Sequence, residues 1–446
     1  MKKKNIVFLD FHSTSGLGHL SRCKYLLKYL NLKSAIFISE KKINEKGFKC
    51  INITFDKFLK ENKENFNIAI IDSYKITYEQ EKKIKKISNK LITIDDENKR
   101  RFCCDYLINY NPEAKNFKYQ KKIQKDTKLL LGKNYNFILN FKKIKIKTNN
   151  KINILIYFGT KNRSIFLKKK ILDKLKKNKK IIGKIKIFSK YQFYHKDFNI
   201  EFKYNKNKKI ILSDIKNSDI CIISSGIIIY EALSYKKLIF AKPISNNQLS
   251  HYKYLLKHKL IHSTNNLKNF TFTRKKINEI NPYKNDLDVY YDRSKILQLI
   301  INPLKDSSNK NLYLTYYDKK YDFDLYRMQT SSYRKFYINK NKFSYFNHKK
   351  YLSLMNQNKI SLYIIKRDEK FAGYLKFEIK KRKIYVSIAI LKKYQKKQIA
   401  YKVLQYLMKN SFFKLKPFAE INNNNFASLK TFKKAGFKTK NIKTFI

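Results

Sequence analysis

The sequence predicts an α/β chain: two doubly wound parallel halves with a cleft between them, followed by a separate α+β domain. Three observations carry this. Short apolar runs alternate with amphipathic segments through the first ~300 residues, which argues for parallel sheets covered by helices. The alternation breaks at a lysine-rich stretch near 141–151 and then restarts. From about residue 310 strand-like runs follow one another directly, separated by turns, which argues for an α+β unit.

In the first half, predicted as residues 1–145, β-branched runs place strands at 6–10, 35–39, 68–72, 91–94 and 106–109. Helices are expected at 20–30, where Leu20, Leu26, Leu27 and Leu30 share one side, and at 78–88. The second half, 150–305, repeats the pattern with strands at 152–158, 185–188, 220–223 and 238–241. Its helices are expected at 165–175, 227–234 and 248–258, with 283–303 as a closing helix. The third domain, 312–446, contains "SLYIIKRDEKFAGYLKFEIKKRKIYVSIAI", three strands with turns at 367–370 and 380–383. No internal repeat and no Pro- or Ser-rich linker is visible. In doubly wound folds ligands sit at the carboxyl ends of the strands, so the residues following each run are the candidates for function.

Composition narrows the class. The chain has 446 residues and is 43% hydrophobic, enough to bury a core in each of several domains. Lys and Arg number 101 against 33 Asp and Glu, a formal +68. Lysine is scattered along the whole chain, with Asn and Ile enriched and Gly, Pro and Ala scarce. That reads as compositional drift written on the surface, so no specific nucleic-acid partner is expected. A field of this sign still favours anionic substrates. The five cysteines, an odd number, form no C-x2-C metal spacing, which predicts reduced thiols, no metal and a cytoplasmic setting. The apolar run of "MKKKNIVFLDF" is short and broken by Asp10, a first strand rather than a signal peptide. No apolar stretch is long enough for a membrane span.

Two of only nine glycines, Gly16 and Gly18, fall in "SGLGHLSRC" between the first strand and the first helix. Glycines there permit a tight turn and close backbone approach to a ligand. A histidine at the helix start, His19, is disfavoured as imidazolium by the helix field and is suited to accept a proton from water. From spacing alone, a general base and a polar cap fit His19 equally. After the strand at 220–223, "ISSGIIIYEAL" places Ser224, Ser225 and Gly226 at a helix start, a phosphate-site pattern. Ordinary N-capping by either serine fits as well. Glu231 lies further along that helix, where it could accept hydrogen bonds from ribose hydroxyls. Asn247 and Gln248 open the next helix.

Together "GLGHLSRC", "IIDSY", "TIDDE", "ISSGIIIYEAL" and "NNQ" resemble the UDP-sugar hydrolase of the pseudaminic acid pathway, over roughly residues 1–305. The resemblance implies a GT-B-like fold of two Rossmann-like halves. It also implies metal-free cleavage of UDP from UDP-2,4-diacetamido-2,4,6-trideoxy-β-L-altropyranose, with inversion. It assigns His19 as the catalytic base and Asp10, Asp72 and Tyr74 as water-facing cleft residues. The UDP pocket falls on Gly16, Gly18, Ser224, Ser225, Gly226, Glu231, Asn247 and Gln248. The family's paired glycines at the opening of the second half are replaced by Phe158–Gly159.

"VSIAILKKYQKKQIAYKVLQYL" and "FAEINNNNFASLKTFKKAGF" resemble the GNAT acetyltransferase family over 312–446. The resemblance implies acetyl-CoA as co-substrate. Its thioester would dock on the backbone of the strand carrying Ile388 and Ile390. Its diphosphate would sit on the loop Gln395, Lys397, Gln398, Ile399 and Ala400, and Asn425 and Ser428 form the N-x-x-S loop. Glu420 is the candidate base. Gln398 stands at a loop glycine, and Phe432 stands where a tyrosine often protonates the thiolate. A fusion of the two would couple N-acetylation of the 4-amino UDP-sugar to UDP removal. The competing expectations are a UDP-sugar-dependent glycosyltransferase-like protein with a GNAT domain and, more remotely, a non-catalytic basic protein binding membrane or nucleic acid.

Overall fold

The computed structural model describes residues 4–11, 18–43, 45–139, 150–159, 165–204, 207–279, 292–330, 344–355, 360–381, 383–441 and 444–445. The chain divides into two compact units, Met1–Tyr283 and Lys284–Ile446.

The first unit holds two wholly parallel sheets. One contains β1 (Ile6–Leu9), β2 (Ile36–Ser39), β3 (Lys49–Asn52), β4 (Phe66–Asp72), β5 (Ser88–Ile94), β6 (Tyr106–Asn109) and β7 (Lys128–Leu131), in the order β3-β2-β1-β4-β5-β6-β7. The other contains β8 (Ile152–Tyr157), β9 (Ile182–Phe188), β10 (Ile200–Lys203), β11 (Ile220–Ser224), β12 (Leu238–Lys242) and β13 (His262–Ser263), in the order β10-β9-β8-β11-β12-β13. In both, the first strand lies beside the fourth, so the order reverses there and opens a crevice at the carboxyl ends.

The central strands are the most apolar. Ile6, Val7, Phe8 and Leu9 are all fully buried, and so are Ile220, Cys221, Ile222 and Ile223. Strands covered on both faces carry unbroken apolar runs, which made them legible. Four strands escaped the sequence reading: β3, β7, β10 and β13. β3 and β10 are short, half-buried edge strands such as "KCIN" and "IEFK", without a buried run or strict alternation. The helix Tyr78–Lys86 starts where Thr77 and Gln80 cap each other reciprocally, with Glu79 and Glu81 in its first turn and lysines in its last.

The second unit is built on one mixed sheet. Its strands are β14 (Leu304–Lys305), β15 (Asn311–Tyr316), β16 (Ile360–Arg367), β17 (Lys370–Lys380), β18 (Lys383–Ile390), β19 (Pro417–Glu420), β20 (Thr439–Asn441) and β21 (Thr444–Phe445). The hairpin between β16 and β17 turns on Asp368 and Glu369, both at positive φ (44° and 67°), as a tight two-residue turn of primed type demands. The helix Ser294–Ile301, expected to close the second parallel half, belongs instead to this unit. It packs on β15, and its Gln298 accepts a hydrogen bond from Tyr406.

β18 and β19 run parallel but pair only at Ile384–Pro417 and Tyr385–Phe418. Beyond those two rungs β18 continues to Ile390 while β19 turns to pair with β21. The backbone of 386–390 is therefore unpaired with β19. No helix among the described residues is long and apolar enough to cross a membrane.

Candidate functional site

The first unit places its chemistry where β1 and β4 end beside the helix Gly18–Tyr29. Asp72, the last residue of β4, is fully buried. Its Oδ1 lies 2.7 Å from His19 Nδ1, and its Oδ2 accepts from Arg22 Nε at 2.8 Å. Burial alone would raise the Asp72 pKa, but the Arg22 and His19 charges and hydrogen bonds pull it down to about 2. The carboxylate is therefore ionised at neutral pH. Two acceptors, Asp72 Oδ1 and the Asp72 carbonyl at 3.0 Å, surround Nδ1. Arg22 Nη2, also 3.0 Å from Nδ1, is committed to Asp72 Oδ1, so the two acceptors favour the ring proton on Nδ1, which leaves Nε2 as the basic nitrogen. Arg22 follows His19 by three residues and shares its helix face. Its other arm reaches Asp96 Oδ2 at 2.6 Å. Tyr74 donates to Asp96 Oδ1 at 2.7 Å and stands edge-on to the His19 ring at 4.9 Å.

Asp10 and Asp72, expected to face water, do not. Both are buried, and both Asp10 oxygens are taken by Ser73 Oγ (2.6 Å) and the Tyr74 amide (2.8 Å). A carboxylate at the end of a central strand is more valuable as an acceptor for the turn that follows. Here Asp10 fixes the turn that carries Tyr74. Tyr74 itself is 40% exposed.

A cleft of about 360 Å³ opens here, lined from both sheets. Of the expected nucleotide residues, Gly18, Ser224, Gly226, Asn247 and Gln248 line it, with His19, Arg22, Tyr74, Asp96, Lys208 and His251. Gly16 lies outside the described residues. Ser225 and Glu231 sit behind the wall. Ser225 is fully buried, its amide bonded to the Lys242 carbonyl at 3.2 Å. Neither serine caps the helix Ile228–Ser234, whose cap position is Ile227 with no side-chain bond. Gln248 Oε1 accepts from the Ile244 amide at 3.1 Å, and a Cβ on Gly226 would come within 3.3 Å of Gln248 Nε2. Asn247 Nδ2 reaches Tyr74 Oη at 3.5 Å across the cleft.

Glu231 is 2% exposed, and its Oε1 takes Tyr25 Oη at 2.9 Å and an ion pair from Lys208. With Tyr230 Oη on Asn111 (2.9 Å) and Ser250 Oγ on Glu113 (3.0 Å), it links the two halves of this unit by buried and half-buried hydrogen bonds. Sequence reasoning missed Arg22, Asp96, Lys208 and His251. Arg22 was signalled by its three-residue spacing from His19, and Asp96 by the paired acids after β5. His251 is 5% exposed and stacks on Tyr230. Burial pushes its pKa down to about 4, so it is neutral at pH 7.

The second unit presents a different site. The loop after β18 ends with Lys396 and Gln398 at φ 61° and 58°. Gln398 thus holds the left-handed conformation that glycine would take freely. It is the cap of the helix Ile399–Lys409 but makes no side-chain bond to it, so its side chain does not cap the first-turn N–H groups. These donors, at Ile399 and Ala400, and the unpaired edge carrying Ile388 and Ile390 fit a diphosphate and an extended amide-bearing arm. Gln395, Lys397 and Gln398 are exposed. Asn425 caps the helix Phe426–Lys434, its side chain accepting from the Ser428 amide at 3.1 Å. Glu420 is exposed at the end of β19, and Phe432 is buried against Phe437 at 5.0 Å. Among the described residues no group of three or more His, Cys, Asp or Glu is placed to hold a metal ion.

Comparison with known proteins bears on the second unit. Residues 323–437 match the model of the acetyltransferase (GNAT) family. Similar solved structures include spermidine N-acetyltransferase from Vibrio cholerae in complex with CoA and spermine. It is 15% identical, covering 29% of this chain and 82% of that one, with a TM-score of 0.26. A domain from Methanocaldococcus jannaschii is 19% identical, covering 30% and 97%, with a TM-score of 0.26. An acetyltransferase from Salmonella typhimurium that modifies the N-terminal serine of ribosomal protein L7/L12 is 17% identical, covering 29% and 82%, with a TM-score of 0.25. No curated protein matches the chain. The C-terminal unit thus contains a segment that matches the GNAT acetyltransferase family.

Proposed function

We propose that the chain acts twice on one nucleotide-linked amino sugar: the GNAT unit N-acetylates the 4-amino UDP-sugar, and the first unit then hydrolyses UDP from the product. The observation that carries the hydrolytic reading is the His19–Asp72 pair at 2.7 Å beside a cleft lined from two parallel sheets. An imidazole oriented by a buried carboxylate is the arrangement a general base requires. In this reading the sheets are the two Rossmann-like halves of a GT-B-like body, 1–145 and 150–279.

Water approaching the anomeric carbon gives its proton to His19 Nε2. The C1–O bond breaks, UDP leaves with the bonding pair, and the configuration inverts. Asp72 stabilises the imidazolium that forms, and Arg22 keeps Asp72 ionised. Ser224, Gly226, Asn247, Gln248 and Lys208 hold the nucleotide, Lys208 supplying the positive charge. Glu231 positions Lys208 through their ion pair, a different role from the ribose contact expected.

In the GNAT unit, acetyl-CoA supplies the activated acetyl group. The N–H groups of Ile399 and Ala400 hold its diphosphate, and the open edge at Ile388 and Ile390 aligns its arm. Glu420 takes the proton of the attacking amine, directly or through water. Phe432 has no proton to donate, so water protonates the thiolate.

UDP release from the diacetamido-trideoxy UDP-sugar tests the hydrolytic reading. His19→Ala is expected to lower the rate about 100-fold or more, the general-base range. Equal rates in the two proteins would remove His19 from the reaction.

A further inference from the structure

The loop that holds the acetyl-CoA diphosphate contains two non-glycine residues, Lys396 and Gln398, in left-handed conformations. Each disfavours that conformation relative to glycine. Such a loop persists only where its surroundings impose it. The surroundings here are the turn between β14 and β15, which precedes the segment matched by the GNAT family model.

Asp306 organises this turn. It is 4% exposed, and its Oδ1 accepts from the amides of Ser308 (2.8 Å) and Lys310 (2.9 Å). Its Oδ2 accepts from Arg367 Nε at 2.6 Å. This turn and Arg367, the last residue of β16, each grip the loop at one point. The Ser307 amide donates to the Lys397 carbonyl at 3.2 Å, between the two left-handed residues. The Arg367 guanidinium lies over the Tyr394 ring at 5.5 Å, at the loop's entry. Both oxygens of the Asp306 carboxylate are spent on this arrangement.

We propose that Asp306, through Arg367 and the Ser307 amide, is a positioning residue for acetyl-CoA: it clamps the glycine-free diphosphate loop in its binding conformation. The clamp does the work that a loop glycine does by its own conformational freedom. This rests on the acetyl-CoA reading of the GNAT unit.

A two-by-two comparison tests it, using the full chain, CoA as titrant and calorimetry as readout. Asp306→Asn keeps the shape but weakens the bond to Arg367. It is expected to weaken CoA binding about tenfold, the order of one left-handed residue's preference. Gln398→Gly alone relieves the left-handed strain in the binding loop itself and is expected to tighten CoA binding severalfold. The double variant should recover most of the loss, because glycine no longer needs the clamp. In steady state Asp306→Asn should raise the acetyl-CoA KM and leave the acceptor KM unchanged. Unaltered CoA binding in Asp306→Asn would overturn the proposal. So would a loss that Gln398→Gly leaves unrepaired, which would mark a general structural role. If the wild-type chain binds no CoA, the acetyl-CoA reading itself falls and the clamp with it.

Discussion

At the scale of residues, the cleft depends on how one carboxylate is spent. Asp72 is the last residue of a central strand, out of reach of water, and meets His19, Arg22 and the Cys23 thiol (Sγ–Oδ2 3.7 Å). Its folded pKa of about 2 lies below the ordinary aspartate value of 3.8. A group depressed in this way contributes stability that is complete above about pH 4 and disappears as pH falls toward 2. The shift corresponds to about 2 kcal/mol. Asp72→Asn should therefore lack this part of the acid dependence. Urea unfolding at pH 5 and at pH 2.5 is expected to give a smaller pH difference in the variant than in wild type, and parallel behaviour of the two would contradict the account. UDP release by the variant should fall by about 100-fold, because an amide neither fixes the His19 tautomer nor offsets the imidazolium.

How much of this was readable follows from where the signal sits. His19 stood out through scarce glycines and a helix start. Asp72 stood out as an acid ending an apolar run. Their contact is between residues 53 apart, set by the β1–β4 register that brings Leu9 opposite Asp72. Whether Asp10 faces water or holds the 73–74 turn depends on that packing and leaves no local pattern. The same holds for Glu231, whose partners Tyr25 and Lys208 come from distant segments.

At the scale of elements, the hairpins of the second unit were legible because alternation and turn chemistry agree. "RDEK" between two strand runs leaves two residues for the turn, and Asp368 and Glu369 occupy it. Gly373 is required for a reason the sequence does not reveal. It pairs with Ile390 on β18, where a Cβ would lie 2.1 Å from the Ala389 carbonyl oxygen. Gly373→Ala must push the β17–β18 ladder apart at the strand that leads into the loop carrying Lys396 and Gln398. It should cost the second unit about 2 kcal/mol or more, in the range of overpacked cores. Denaturant unfolding followed by a signal specific to this unit checks this, and wild-type stability would refute the close approach. The short edge strands were illegible for the opposite reason. β3 and β13 earn their place by pairing with a neighbour, and four or fewer half-buried residues carry too little periodicity.

At the scale of the whole molecule, the sequence divides its chemistry between two units of different construction. Parallel sheets end in buried acids, an oriented imidazole and a cleft. The mixed sheet opens between two strands beside an uncapped helix start. The most direct test of the combined account follows both reactions in one vessel. The full chain is given acetyl-CoA and the 4-amino UDP-sugar, and free CoA thiol and UDP are measured over time. The account predicts that CoA appears first, that UDP release requires acetyl-CoA, and that His19→Ala stops UDP release while CoA release continues. No acceptor-dependent CoA release, or UDP release indifferent to both acetyl-CoA and His19, would contradict it.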